Sequence, residues 1–284
     1  MAKATAVSGI VQAGDEALLY YEACGSGPAI LLVHGWMMST RFWDRQVEAL
    51  SGDFTVVAMD FRAHGNSGKV LHGHTIPQYA RDVRTVVERL ELESVTLVGW
   101  SLGGAVVLDY WSHYGADRLS SLSLVDMTPC PFSSDAWNQH RLRGRNYDQL
   151  NATVASIYSD QYGFVRRFVD SMFHSGAAPT DDAAWMAAEA MRTPAPAAAA
   201  IYSDFVMRDY TAILPTISVP ATVFASDSGV FERGIEQGEW IASRIPDGRF
   251  VASDRGGHLL FREDAATFNA AIAGATAIEG GRAG

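Results

Sequence analysis

Gly99-Trp100-Ser101-Leu102-Gly103 sets a serine between two glycines. The pentapeptide follows a stretch that reads as a strand and precedes one that reads as a helix. Glycine on both sides lets the backbone make a sharp strand-to-helix turn that larger side chains would block. Such a turn lifts the serine hydroxyl above the sheet edge. It also leaves the Leu102 N–H at a helix N-terminus, aimed where an oxyanion would form. Five residues alone arise by chance, and the strand–turn–helix setting is what gives them weight. A serine merely capping a helix would not require both glycines. The hydroxyl attacks little at neutral pH until a general base takes its proton. Of the eight histidines, His258 alone lies in a Gly-Gly-His loop after the last strand-like stretch, with helical sequence from Arg262 onward. His72 and His74 sit in a polar loop, His113 on the helix after the serine, and His140 and His174 farther along. His64 belongs to a turn. Ser101 and His258 are the candidate nucleophile and base.

A second oxyanion donor is expected from His34-Gly35-Trp36, which follows an earlier apolar strand. Glycine there permits close approach, and the Trp36 main-chain N–H is the donor to pair with Leu102. The His34 imidazole is expected to brace the loop. Trp100, Met37 and Met38, beside these two turns, are the candidate substrate walls, with Trp137 from farther along the chain.

These turns need a scaffold. Ala29 to His34, Phe54 to Met59, Val95 to Gly99 and Leu119 to Val125 are short, continuously apolar runs, as befits strands buried on both faces of a parallel sheet. Thr40 to Leu50, Ile76 to Leu92 and Gly103 to Tyr114 read as the helices between and after them. Strands alternating with helices predict a doubly wound α/β sheet. Gly9 to Tyr21 reads as an antiparallel hairpin at its edge, with Gly25-Ser26-Gly27-Pro28 turning into the sheet. From about Asp135 to Asp209 strand signals stop and helical, aromatic-rich sequence takes over, broken by Pro194 and Pro196. The strand rhythm resumes at Val219 to Phe224 and Arg249 to Ala252. The expected division is a core of residues 1–134 and 213–284 with a helical cap, 135–212, over the C-terminal edge of the sheet, where ligands of such folds bind. The cap aromatics Trp137, Tyr147, Tyr158, Tyr162, Phe164, Phe168, Phe173, Trp185, Tyr202 and Phe205 form a set from which a few are expected to face the pocket. The glycine-rich tail after Ile278 is expected to be disordered.

Leu31 to Trp36, Asp60-Phe61-Arg62-Ala63-His64-Gly65-Asn66-Ser67, Gly99 to Gly104 and Gly256-Gly257-His258 together resemble the α/β-hydrolase family, most nearly its esterase and haloperoxidase-like members. The match runs in order along nearly the whole chain apart from the cap. Ala63 departs from it, standing where the family usually has glycine. The resemblance implies a mostly parallel α/β-hydrolase sheet with an inserted cap, and a carboxylate to hold the second nitrogen of the histidine. Family members usually carry that acid after the strand that here reads Ala221 to Ala225. In Ser226-Asp227-Ser228-Gly229, glycine or serine falls at the position itself and Asp227 stands beside it. Some members place the acid one strand earlier, which here is Asp126, before Met127-Thr128-Pro129. A turn cap is the plain alternative for that aspartate. Asp126 is preferred, Asp227 remains the alternative, and Asp254 ranks below both.

The expected reaction is cleavage of a carboxylic ester or lactone of an apolar or aromatic small molecule through an acyl-enzyme on Ser101. A similarity to cofactor-free quinolone dioxygenases around Asp126, and in spacing from Trp240 to Phe268, gives the alternative. There the His258/Asp126 pair would deprotonate a heteroaromatic ring for cleavage by oxygen. Apparent haloperoxidase activity, by peroxide intercepting the acyl-enzyme, and a receptor without turnover are further readings. No cofactor or metal is expected. Cys24 and Cys130 lack zinc-site spacing and read as packing residues. A net charge of −10 argues against nucleic acid as a partner. Neither a secretory leader nor a membrane-spanning run is apparent, so a cytoplasmic protein acting on a small molecule is expected. The sequence does not set the oligomeric state.

Overall fold

The computed structural model describes residues 6–280. The chain opens with a hairpin, β1 (Val7–Gln12) and β2 (Leu18–Cys24), then β3 (Ala29–Val33), a 3₁₀ turn, α1 (Asp44–Leu50) and β4 (Thr55–Met59). It continues through α2 (Ile76–Arg89), β5 (Val95–Trp100), α3 (Leu102–Tyr114) and β6 (Leu119–Val125). Four helices follow: α4 (Tyr147–Ser159), α5 (Gln161–Met172), α6 (Thr180–Ala190) and α7 (Ala195–Val206). The remainder is β7 (Ala221–Ser226), α8 (Gly234–Ser243), β8 (Gly248–Ser253), α9 (Leu260–Glu263) and α10 (Ala265–Gly280).

These strands form one eight-stranded sheet in the order β1-β2-β4-β3-β5-β6-β7-β8. The β1–β2 and β2–β4 pairs are antiparallel and all the others parallel. Every residue of β3, β5 and β7 is buried, which is why their sequences are apolar without alternation. On α2 the buried residues Ile76, Tyr79, Ala80, Val83, Val86 and Val87 recur at the helical spacing. Thr75 caps this helix by accepting the Gln78 N–H.

Topology explains where chemistry collects. From β3 the chain moves outward to β4, then returns to the opposite side of β3 with β5. The strand order reverses between β3 and β5, and the crevice beyond the carboxyl ends of the strands at such a point is where doubly wound sheets bind ligands. The His34-Gly35-Trp36 loop leaves β3 there and Ser101 leaves β5 there.

The insertion differs from expectation at its entrance. Residues 127–146 form turns and no regular helix. With Pro129, Pro131 and Gly144 among them, this stretch lacks both the backbone freedom and the apolar spacing of a helix. The four helices that follow are tied to the core by named contacts. Ser39 Oγ donates to Glu189 on α6 at 2.8 Å, and Asp204 on α7 accepts the Ile76 N–H at the start of α2 at 2.7 Å. The tail after Ile278, expected to be disordered, continues α10 to Gly280, and residues 281–284 lie outside the described residues. Among the described residues no helix is long and apolar enough to cross a membrane, and no group of three or more histidine, cysteine or acidic side chains is arranged to hold a metal ion. Cys24 and Cys130 are both buried.

Candidate active site

Ser101 sits between β5 and α3 with φ 55° and ψ −119°. A non-glycine residue in that region carries strain of about 1–3 kcal/mol, held by the surrounding packing. The flanking glycines show what holds it. A Cβ on Gly99 would lie 2.4 Å from the Gly103 carbonyl oxygen, and one on Gly103 would lie 2.7 Å from the His34 carbonyl oxygen. Neither position tolerates even a methyl group without moving backbone. Gly103→Ala is expected to destabilise the fold by at least about 2 kcal/mol through overpacking. Urea unfolding reads this directly, with Gly14→Ala as control, since a Cβ on Gly14 meets nothing within 4 Å.

Leu102 opens α3, so its N–H has no acceptor within the helix. The β3 loop passes so close that a Cβ on Gly35 would lie 3.3 Å from the Ser101 Cβ. Trp36, the next residue of that loop, lines the same cavity as Ser101. The Trp36 indole N–H donates to the Ala198 carbonyl of α7 at 2.9 Å, and its ring stacks on Tyr202 with centroids 4.4 Å apart. Beneath the loop, His34 Nε2 accepts the Phe61 N–H at 3.0 Å while Nδ1–H donates to the Gly35 carbonyl at 2.7 Å. Burial pushes this imidazole down to about 4, so it is a neutral brace. His64 is likewise held well down by burial, and its Nδ1 donates to the Arg62 carbonyl. Ala63, the departure from glycine, adopts φ 60°, so the turn keeps its left-handed backbone despite the added methyl.

The carboxylate beside the histidine is Asp126. Its Oδ2 lies 2.5 Å from His258 Nδ1, and each side chain is only 1% exposed. Oδ1 accepts the Ser226 N–H at 3.0 Å, and the Asp126 N–H donates to the Phe224 carbonyl at 2.7 Å. Asp126 itself has φ 43°, a turn at the end of β6 that sends the carboxylate toward β7. Asp227, the alternative acid, is exposed and accepts the Ile235 N–H, capping the start of α8. It does not reach the histidine. Ser226, at the end of β7, instead donates its hydroxyl to the Gly257 carbonyl at 2.6 Å. That strand end steadies the histidine loop. Asp254 is exposed as well.

His258 is fully buried between Trp100 and Phe231, with ring centroids 5.4 and 5.7 Å away. Its Nε2 is buried without a hydrogen-bond partner. The Ser101 hydroxyl is therefore not bonded to it, and a proton transfer between them would require the serine side chain to turn toward Nε2. Catalytic hydrogen bonds commonly tighten only when substrate is present.

A cavity opens over Ser101, lined by Trp36 and Leu102 of the two adjoining turns and by Phe168 of α5 and Tyr202 and Phe205 of α7. The expected walls are otherwise corrected. Trp100 turns away from the cavity, donating its indole N–H to the His258 carbonyl at 2.9 Å and packing on Phe42 and Phe261. Met37 and Met38 are buried in the core, and Trp137 stacks on Trp240 of α8 with centroids 4.1 Å apart. None of these four lines the cavity. Of the cap aromatics, Tyr147, Tyr158 and Tyr162 are exposed, while Trp185 packs on Phe42. Met127, Thr128, His140 and Arg141, from the entrance to the cap, and Gly229, Val230 and Phe231, after β7, were not anticipated as walls. The available signal for Met127, Thr128 and Gly229 to Phe231 was their position just beyond the carboxyl ends of β6 and β7, and His140 and Arg141 carried none.

Comparison with known proteins identifies the fold family. A profile of the family described as alpha/beta hydrolase fold matches residues 28–265. The chain is 35% identical over 153 residues to a non-heme haloperoxidase of Rhodococcus erythropolis, covering 54% of this chain and 56% of that protein. It is 29% identical over 211 residues to a pimeloyl-[acyl-carrier protein] methyl ester esterase of Vibrio atlanticus, covering 71% of this chain and 76% of that protein. The match thus spans little more than half the length of the haloperoxidase. Among solved structures, a bromoperoxidase from Bacillus anthracis superposes with TM-score 0.87 at 24% identity, over 95% of this chain and 99% of that one. A thermophilic esterase from Thermogutta terrifontis gives TM-score 0.78 at 25% identity, over 94% and 96%.

Proposed function

Because the chain belongs to the α/β-hydrolase fold family, we propose that it cleaves a carboxylic ester or lactone of a largely apolar small molecule through an acyl-enzyme on Ser101. The observation that carries this reading is the Asp126–His258 contact at 2.5 Å, with the unpartnered Nε2 left to receive the proton of a hydroxyl held above the sheet. Relatives named as esterases support the same chemistry.

The substrate carbonyl sits over Ser101 with its oxygen toward the Leu102 and Trp36 N–H groups. The serine Oγ bonds to the carbonyl carbon as His258 Nε2 takes its proton, and the carbonyl π pair moves onto the oxyanion. Asp126, accepting from Nδ1–H, stabilises the imidazolium. Collapse of the tetrahedral adduct breaks the bond to the alkoxy oxygen, which leaves with the proton from Nε2. Water then attacks the acyl-enzyme, giving its proton to Nε2, and a second collapse releases the acid and restores the Ser101 hydroxyl. Peroxide in place of water would give a peracid with no further residue, consistent with a relative named as a bifunctional esterase/perhydrolase.

A fluorophosphonate probe tests the nucleophile. The expected result is one covalent adduct, located on Ser101 by peptide mass spectrometry and absent from Ser101→Ala. Turnover accompanied by oxygen uptake without release of acid would defeat the hydrolytic reading.

A further inference from the structure

We propose that the ester accepted by this cavity carries a carboxylate away from its reacting carbonyl, held by Arg141 and His140 at the entrance to the cap. The inference rests on the ester-hydrolase reading and adds the substrate class to it. It begins from an imbalance. The chain has a net charge of −10, yet no acidic side chain lines the cavity and the one formally charged group that does is Arg141. Arg141 is exposed while lining the cavity, so it stands where the cavity meets solvent.

The neighbouring polar groups favour acceptors on the ligand. His140 is buried, and its Nδ1 accepts the Leu142 N–H at 3.2 Å. In the neutral ring the proton is then on Nε2, which makes that atom a donor. Burial and the nearby positive charge of Arg141 push this imidazole down to about 3, so the ring stays neutral at physiological pH. Phe231 and Phe205 flank it, with centroids 5.9 and 6.3 Å away. Tyr202 also lines the cavity, and its hydroxyl is buried without a partner. Besides Ser101, the other two hydroxyl side chains of the wall are already committed as donors, Thr128 to Asn138 Oδ1 and Ser171 to the Phe168 carbonyl. The wall therefore offers a guanidinium and two neutral donors with no carboxylate to receive them. A buried donor without an acceptor costs stability, as at the Tyr202 hydroxyl, and a ligand oxyanion would satisfy it. A guanidinium matches a carboxylate by two parallel hydrogen bonds. The rest of the wall, Trp36, Leu102, Phe168 and Phe205, suits an apolar body between the ester and the anion.

Monoethyl adipate and ethyl hexanoate test this, because they differ by a carboxylate in place of a terminal methyl. Their dissociation constants are measured by calorimetry on Ser101→Ala, with and without Arg141→Gln, Arg141→Lys or His140→Phe. The expected result is at least about tenfold tighter binding of the adipate ester to Ser101→Ala, weakening as salt is raised. Arg141→Gln should abolish the preference, His140→Phe should reduce it, and Arg141→Lys should retain part of it. Equal or weaker binding of the anionic ester, or a preference that survives Arg141→Gln, would overturn the proposal. Binding to Ser101→Ala requires no turnover. Failure here leaves ester hydrolysis standing, and a missing fluorophosphonate adduct would sink hydrolysis whatever the binding result.

Discussion

Ser101→Ala is expected to lower kcat on p-nitrophenyl esters by about 10⁴- to 10⁶-fold while leaving KM within a few-fold. The size follows from what the hydroxyl does. In the proposed mechanism it forms the covalent bond of the acyl-enzyme, and two other hydroxyls of the cavity wall, Thr128 and Ser171, are engaged elsewhere. Apart from Ser101 itself the cavity walls are untouched by the change, so ground-state binding should persist. The Leu102 and Trp36 N–H groups remain to polarise a carbonyl for attack by water, which sets the residual rate. A loss smaller than about 100-fold, measured with protein free of wild-type contamination, would mean that Ser101 is not the nucleophile.

Asp126→Asn is expected to lower kcat by about 10⁴-fold, with Asp227→Asn within about twofold of wild type. An amide at position 126 can donate as well as accept. It would no longer hold Nδ1–H with a full negative charge, and the imidazolium formed during attack would lose its counter-charge in a site where both side chains are 1% exposed. The carboxylate also accepts the Ser226 N–H, so unfolding curves must accompany the kinetics. A variant with wild-type stability and lost turnover isolates the electrostatic role. Asp227 is exposed and caps α8, so its loss should register as a small stability change. A panel of p-nitrophenyl esters and lactones run on both variants distinguishes the assignments, and equal losses in the two would discard this one. Chain-length preference across the panel also sizes the cavity.

The tight turn at Ser101 and the alternation of strands with helices were legible because each is a local demand on the backbone. Only glycine fits at Gly99 and Gly103, where a Cβ would meet a carbonyl oxygen at 2.4 and 2.7 Å. Apolar runs mark doubly buried strands wherever they occur. The hairpin, expected over Gly9 to Tyr21, occupies Val7–Gln12 and Leu18–Cys24, a shift at boundaries that pattern alone does not fix.

Tertiary structure decided the rest. Asp126 and Asp227 follow adjacent parallel strands, so sequence offered both. The φ of 43° at Asp126 and the use of Asp227 as a helix cap determined which carboxylate met the imidazole. Trp100 is one residue from the nucleophile, yet successive residues of a strand point to opposite faces, and its ring went to Phe42 and Phe261. Phe168, Tyr202, Phe205 and Phe231 reached the cavity from distant segments. Chain position sets which backbone turns are possible, while side-chain direction depends on packing partners far away in sequence.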